Sequence, residues 1–153
     1  MFTVTVATEI AAPVDRVFGV FTDLEHSAER VSNIHKIEML TVGGFRLGTR
    51  WRETRDVVGR LDSAEMEVTS FERNRTYSII HHKAGTQINA LFTFSPVDGR
   101  TRVEVEFTLG GHGLAAGALA PVGWAIGDRV REVLSHDLSD FKQFIEQSAP
   151  EAR

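Results

Sequence analysis

The sequence has 153 residues and a formal net charge of −4, with 42% hydrophobic and 25% charged residues, which predicts one globular domain over residues 1–153 and excludes general disorder. The absence of cysteine excludes disulfides, thiolate nucleophiles and Cys-ligated zinc. No run of Lys and Arg exceeds two residues, so we expect no nucleic-acid partner, because phosphate binding needs a concentrated basic face.

The chain opens with a strand that passes directly into a helix. The segment FTVTVATEI alternates and places Val4, Val6 and Ile10 on one face, as in a half-buried strand. Pro13 then suits the first turn of a helix, and the polar run TDLEHSAER predicts a second short helix. Because MFTVTVATEI lacks the basic and apolar regions of a signal peptide, we expect a cytoplasmic protein.

Six alternating segments separated by short turn signals follow, and they predict an antiparallel meander between residues 34 and 109. If each turn has two central residues, the registers of four successive turns place the apolar side chains on one common face. In that register Glu53 and His81 flank Met66 from opposite strands, and Ser70 lies opposite Tyr77.

Residues 110–127 contain no Asp, Glu, Lys or Arg, but their six glycines and one proline make a membrane span improbable, and we predict no integral membrane segment. This stretch has two alternative interpretations. Small residues let a helix approach the sheet closely, or the stretch forms a mobile lid with Leu114 and Trp124 near the entrance and His112 at the hinge.

The chain ends in an amphipathic helix, since apolar residues recur about every 3.6 positions from Leu119 to Ile145. The apolar stripe of this helix and the apolar face of the sheet must cover each other. We therefore predict an α+β fold in which a curved, seven-stranded antiparallel sheet wraps around a long C-terminal helix, with two short helices between strands 1 and 2.

This order of elements is that of helix-grip proteins. The segments EIAAPVDRVFGVFTDLE, GTRWRE, DGRTRVEVEFTL and LSHDLSDFKQFIE resemble the START-like superfamily, in its polyketide cyclase/dehydrase and lipid-transport branch. The resemblance covers nearly the whole chain, and its motifs are signals of the fold, none of them catalytic. It implies relatives as different as hydrophobic-ligand carriers, aromatase/cyclases, chaperone activators and stress proteins, so it narrows the fold more than the function.

The inner face of the predicted sheet carries polar side chains among apolar ones. Glu53 and His81 are candidate catalytic residues, because a carboxyl and an imidazole in an apolar pocket can exchange protons. Three alternative roles are possible for Glu53, Arg55 and His81: they form a hydrogen-bonded structural network, they anchor a ligand, or they catalyse proton transfer. The candidate ligand-binding residues on this face and near the pocket entrance are Trp51, Arg55, Met66, Ser70, Tyr77, Ile79, Phe92, Phe107 and Trp124.

The leading hypothesis is a protein that binds a hydrophobic or amphipathic small molecule, a lipid or an aromatic polyketide-like compound, between sheet and helix. The alternatives are a cyclase- or dehydratase-like enzyme that uses Glu53 and His81, and a regulatory protein-interaction module with a small or filled cavity. Ser135-His136-Asp137 has the residue types of a catalytic triad, but adjacent helical residues project about 100° apart and cannot form its chain of hydrogen bonds. The scattered histidines lack metal-ligand spacing, and we predict neither a metal site nor a cofactor.

Overall fold

The alternating segments of the chain form strands of a single antiparallel sheet. The computed structural model describes residues 2–57, 59–83, 86–111 and 123–148. The strands are β1 Phe2–Ile10, β2 Ile34–Met39, β3 Arg50–Val57, β4 Arg60–Glu72, β5 Thr76–Lys83, β6 Thr86–Val97 and β7 Arg100–Gly111. They lie in the order β1-β7-β6-β5-β4-β3-β2, so β1 and β2 are the two edges.

Two short helices separate β1 from β2, and a long helix follows β7. The short helices are α1 Val14–Phe21 and α2 Ser27–Arg30, with a 3₁₀ turn at Leu24–His26 between them, and the long helix is α3 Gly123–Gln147. The predicted helix-grip architecture is therefore confirmed. Residues 112–122, which include most of the proposed lid, lie outside the described residues. Among the described helices, none combines the length and apolar character needed to cross a bilayer.

The junction between β1 and α1 is held by two elements that are distant in sequence. Pro13 directly precedes α1 with a φ of −69°, which its ring enforces. The fully buried Thr101 of β7 donates a hydrogen bond from Oγ1 to the Ala12 carbonyl at 2.8 Å. The amide of Ala11 donates to Glu146 Oε2 of α3, also at 2.8 Å. The change from strand to helix is thus fixed from both the sheet and the C-terminal helix.

Aromatic side chains join α1 to the sheet and to α3. Phe18 meets Phe94 edge-on at a centroid distance of 5.1 Å, and Tyr77 and Phe71 at 5.8 Å each. Phe21 stacks on Phe141 of α3 at 4.1 Å. These pairs place α1 at one end of the space that the sheet encloses.

The long helix packs across the sheet and reaches its β1 edge. Leu138 and Ile145, two residues of the predicted apolar stripe, are 4% and 0% exposed. On the polar side of α3, Arg131 Nη1 donates to the Thr5 carbonyl at 3.0 Å, and Lys142 Nζ donates to the Glu9 carbonyl at 2.7 Å. The helix therefore covers the apolar sheet face and also occupies backbone acceptors of an edge strand.

The predicted register holds between β5, β6 and β7 but is wrong by two residues between β3 and β4. Glu53 pairs with Ala64 rather than with Met66, whose partner on β3 is Trp51. The reason is the turn: Val57 pairs with Arg60, so Gly59 takes the second central position with a φ of +78°, a conformation that glycine adopts without strain. A two-residue shift leaves every side chain on its predicted face.

A bulge in β4 changes the face of the residues that follow it. Thr69 and Ser70 both lie opposite Ser78, with hydroxyl oxygens 2.9 and 2.6 Å from that of Ser78. The extra residue moves Phe71 into register with Tyr77. The prediction that Ser70 shares the inner face with Tyr77 is therefore wrong, and Ser70 is exposed on the outer face.

Candidate functional site

A cavity of about 210 Å³ lies between the inner face of the sheet and α3. Most of its wall is apolar. Phe21 comes from α1, Phe45 from the loop between β2 and β3, and Leu134 and Phe141 come from α3. A concave, mostly apolar space with a few converging polar groups is the usual form of a small-molecule site.

Most of the predicted site residues line this cavity, because the alternation of the strands fixes their face. Ser70 does not, as a consequence of the bulge in β4. The backbone of Trp124 belongs to α3, but its side chain lies outside what the structure describes. The predicted residues that line the cavity are Trp51, Glu53, Arg55, Met66, Tyr77, Ile79, His81, Phe92 and Phe107.

Arg55 lies between two carboxylates in the cavity wall. Its Nε donates to Glu53 Oε2 at 2.6 Å. Its Nη2 lies 2.9 Å from Asp137 Oδ2, and its Nη1 donates to Asp137 Oδ1 at 3.3 Å, so α3 and the guanidinium meet in a two-pronged pair. We call Glu53, Arg55 and Asp137 the ion cluster.

The ion cluster is largely shielded from water. The side chains of Glu53, Asp137 and Arg55 are 8%, 13% and 26% exposed. The second oxygen of Glu53 accepts a hydrogen bond from the indole Nε1 of Trp51 at 3.2 Å, and Trp51 is itself 1% exposed. Each carboxylate oxygen of the cluster therefore has a donor, as buried charges require.

Burial and the mutual charges shift the ionisation of these groups. Burial opposes the charge of Arg55, but Glu53 and Asp137 outweigh it and raise the pKa of the guanidinium. Burial raises the pKa of Asp137, and the attraction of Arg55 offsets only part of that effect. Burial and the charge of Glu53 raise the pKa of Tyr77, so its phenol stays protonated and can donate a hydrogen bond.

The sequence predicts that Glu53 and His81 flank Met66, but the structure does not place them on either side of this residue. His81 lies opposite Met66 on β5, whereas Glu53 is displaced by two residues along β3. The imidazole of His81 meets the ring of Phe107 edge-on at 6.3 Å. Both side chains border the same cavity, but Glu53 is engaged by Trp51 and Arg55.

Asp137 and Phe45 are two of the cavity residues that the strand-based prediction misses. Asp137 stands in α3 next to the apolar stripe residue Leu138, and its role emerges only when α3 is laid on β3. The neighbouring His136 pairs instead with Asp140, with its Nδ1 3.3 Å from Oδ2. Ser135, His136 and Asp137 therefore do not form a catalytic triad. Phe45 belongs to a glycine-rich loop without alternation, and an aromatic residue between glycines is the one signal that could have marked it.

Among the described residues, no group of three or more His, Asp or Glu side chains could hold a metal ion.

Residues 1–141 match the family described as polyketide cyclase / dehydrase and lipid transport. The chain belongs to this family. Its membership agrees with the helix-grip fold and with the resemblance carried by the strand-to-helix junction and the C-terminal helix. No curated protein sequence matches the chain.

Solved structures with the same fold have very different sequences. A START superfamily protein from Mycobacterium smegmatis has a TM-score of 0.78 at 15% identity, covering 96% of this chain and 99% of its own. Ara h 8.0201 gives 0.77 at 15% identity, covering 97% and 99%. The ginseng major latex-like protein 151 from Panax ginseng gives 0.74 at 12% identity, covering 94% and 96%. At these identities the likeness is one of fold.

Proposed function

We propose that this protein binds a compact hydrophobic or amphipathic small molecule in the cavity between the sheet and α3. The observation that carries the proposal is the cavity itself, with an apolar wall and polar groups gathered around Arg55. The family description, which includes lipid transport, supports the same class of function. A volume of about 210 Å³ lies below the usual range of roughly 300–1,000 Å³, so a ligand of one or two rings suits it better than a long acyl chain.

In this proposal the wall residues divide into two roles. The apolar and aromatic side chains supply the favourable burial of the ligand, at roughly 25 cal/mol per Å² of apolar surface. The polar residues fix its orientation. The proposed contacts for the apolar part are Trp51, Met66, Ile79, Phe92 and Phe107, and those for the polar part are Glu53, Arg55, Tyr77 and His81.

The test is titration calorimetry with 2-naphthol and with its neutral ether 2-methoxynaphthalene. We expect saturable binding at one site on the wild-type protein. Ala90 lines the cavity and is 5% exposed, so Ala90→Phe should fill the space and abolish binding. Its neighbour Leu91 is 38% exposed, and Leu91→Phe is the matched control that should bind as the wild type does.

Two results would contradict the proposed function. One is that neither naphthalene binds the wild-type protein. The other is that Ala90→Phe, shown by circular dichroism to be folded, binds both compounds unchanged, because the ligand would then sit elsewhere.

A further inference from the structure

We propose that the cavity selects ligands whose polar end donates a hydrogen bond, as a hydroxyl group does, and discriminates against carboxylates of the same shape. This inference rests on the proposed function and concerns the chemistry of the ligand. Its basis is the composition of the ion cluster, in which one guanidinium is shared by two carboxylates.

Arg55 is already paired with two carboxylates. Its Nε, Nη1 and Nη2 each face a carboxylate oxygen, at 2.6, 3.3 and 2.9 Å. These contacts use three of the five guanidinium N–H groups. A ligand carboxylate would either approach a remaining N–H beside Glu53 and Asp137, which both repel it, or displace one of them. The displaced carboxylate would then be buried without its partner, which is strongly unfavourable.

The ion cluster carries no net positive charge. With both carboxylates ionised, Glu53, Arg55 and Asp137 carry one net negative charge. With a proton on Asp137 the cluster is neutral. In neither state does the cluster offer an unpaired positive charge, and a buried anion without a counter-charge pays its full desolvation cost.

Hydrogen bonding at the ion cluster favours a ligand that donates. Each carboxylate oxygen has two lone pairs, and the contacts of Glu53 and Asp137 described above use one donor per oxygen. The wall can therefore accept further hydrogen bonds at the cluster. A ligand hydroxyl satisfies such an acceptor, whereas an ether oxygen at the same position cannot donate.

The experiment measures the affinities of the intact wild-type protein for 2-naphthol, 2-methoxynaphthalene and 2-naphthoate at pH 7. We expect 2-naphthol to bind at least about tenfold more tightly than the ether, because the hydroxyl donates to a charged acceptor. We expect 2-naphthoate to bind at least about tenfold more weakly than 2-naphthol, because it brings a negative charge to a cluster that has no free cation.

A double variant should reverse the preference for 2-naphthol over 2-naphthoate. Glu53→Gln combined with Asp137→Asn leaves Arg55 without a carboxylate, and 2-naphthoate should then bind more tightly than 2-naphthol. Asp140→Asn is the control for the loss of a carboxylate from α3, since it removes one negative charge about one turn from Asp137, where Asp140 pairs with Ser32 and His136 outside the cavity. The control should keep the wild-type order of affinities.

The outcomes separate the two proposals. Binding of 2-naphthoate to the wild-type protein as tight as that of 2-naphthol would overturn the inference and leave the proposed function standing. Equal affinities for 2-naphthol and its ether would also overturn it. If none of the three compounds binds, the proposed function and the inference are both overturned. These comparisons use the wild-type protein, so they hold even if the double variant fails to fold.

Discussion

Arg55 holds two carboxylates that would otherwise repel each other in the cavity wall. Because the side chains of Glu53 and Asp137 are 8% and 13% exposed, water screens that repulsion poorly. A pair buried in this way adds little net stability compared with an apolar contact of the same shape, but removing one partner leaves an uncompensated charge. The guanidinium of Arg55 is therefore required to compensate the two buried carboxylates, although the ion cluster adds little net stability to the fold.

Replacing Arg55 by Met should lower the free energy of unfolding by about 3–5 kcal/mol at pH 7, because both carboxylates lose their counter-charge. Urea unfolding followed by circular dichroism measures this loss. Arg52→Met on the same strand is the control: Arg52 is 40% exposed, pairs with Glu65 at 3.3 Å, and should cost less than about 1 kcal/mol. A loss of under 1 kcal/mol for Arg55→Met would contradict the role assigned to the cluster.

Asp137 gives the protein a pH dependence of known sign. Its pKa in the folded protein is raised above 3.8 by burial, against the pull of Arg55 and with the charges of Glu53 and Asp140 adding to the rise. The folded state thus holds a proton that the unfolded state has already lost, and the stability linked to this group falls as the pH rises through the raised pKa.

We therefore expect the wild-type protein to lose stability relative to Asp137→Asn as the pH rises from about 4 to 7. Unfolding free energies measured at several pH values test this, with Asp140→Asn reporting the effect of removing a charge from α3 alone. If the stability of the wild type relative to that of Asp137→Asn stays constant or increases with pH, burial does not dominate the pKa of Asp137.

The contrast between Arg55 and Asp137 shows what the sequence can predict at single residues. Alternation along β3 is a local property, so Glu53, Arg55 and Trp51 are assigned to the inner face without any knowledge of their partners. The partner of Arg55 lies 82 residues away on a helix. Which side of that helix meets β3 depends on its rotation and tilt over the sheet, and no local pattern contains these quantities.

Between elements, a buried side-chain hydrogen bond ties the junction of β1 and α1 to the sheet. Thr101 of β7 is 0% exposed and occupies the Ala12 carbonyl at 2.8 Å, where a chain leaving a sheet for a helix would otherwise bury an unsatisfied acceptor. The hydroxyl therefore connects the sheet to the start of α1, on which the aromatic contacts of Phe18 and Phe21 depend.

Thr101→Val keeps the shape of the side chain and removes the donor, so we expect a loss of about 1–3 kcal/mol in the free energy of unfolding. Thermal and urea unfolding measure it. Thr108→Val on the same strand, whose hydroxyl meets that of Thr3 at 3.4 Å on an exposed surface, should change stability by no more than about 0.5 kcal/mol. Equal effects of the two substitutions would argue against a special role of the junction.

Strand pairing shows the same division between local and non-local information. Turns with two central residues give correct registers from β5 to β7, because apolar alternation and turn signals agree there. In β4 the bulge adds a residue between Val68 and Phe71, and the polar pair Thr69 and Ser70 fits either face. The signal that could have revealed it is Phe71, an aromatic residue that a regular strand would expose to water.

For the molecule as a whole, the fold defines the enclosed space and the side chains define its chemistry. Proteins with 12–15% identity share this architecture over more than 90% of the chain. The sheet and helix thus persist although few residues are shared, so the ligand of this protein must be inferred from its own cavity wall and not from the architecture.

Ligand binding should also increase the free energy of unfolding of the whole protein. At a free 2-naphthol concentration about 100 times its Kd, the free energy of unfolding should rise by about 2.7 kcal/mol. For a domain of this size that corresponds to a rise in Tm of roughly 5–10 °C, measured by differential scanning calorimetry. Leu91→Phe should show the same rise and Ala90→Phe none. A rise in Tm that persists in Ala90→Phe would indicate a binding site outside the cavity.

The contacts of α3 with the first strand have a consequence for how copies of this protein meet at high concentration. An exposed sheet edge is a template on which another chain can add a strand, the step that begins fibril growth. On β1 the carbonyls of Thr5 and Glu9 are occupied by Arg131 and Lys142. At the opposite edge, β2 is six residues long, breaks register between Ile34 and Lys36, and carries charged side chains. Both edges of the sheet are therefore protected against the addition of another strand. On β1 this protection comes from Arg131 and Lys142 of α3.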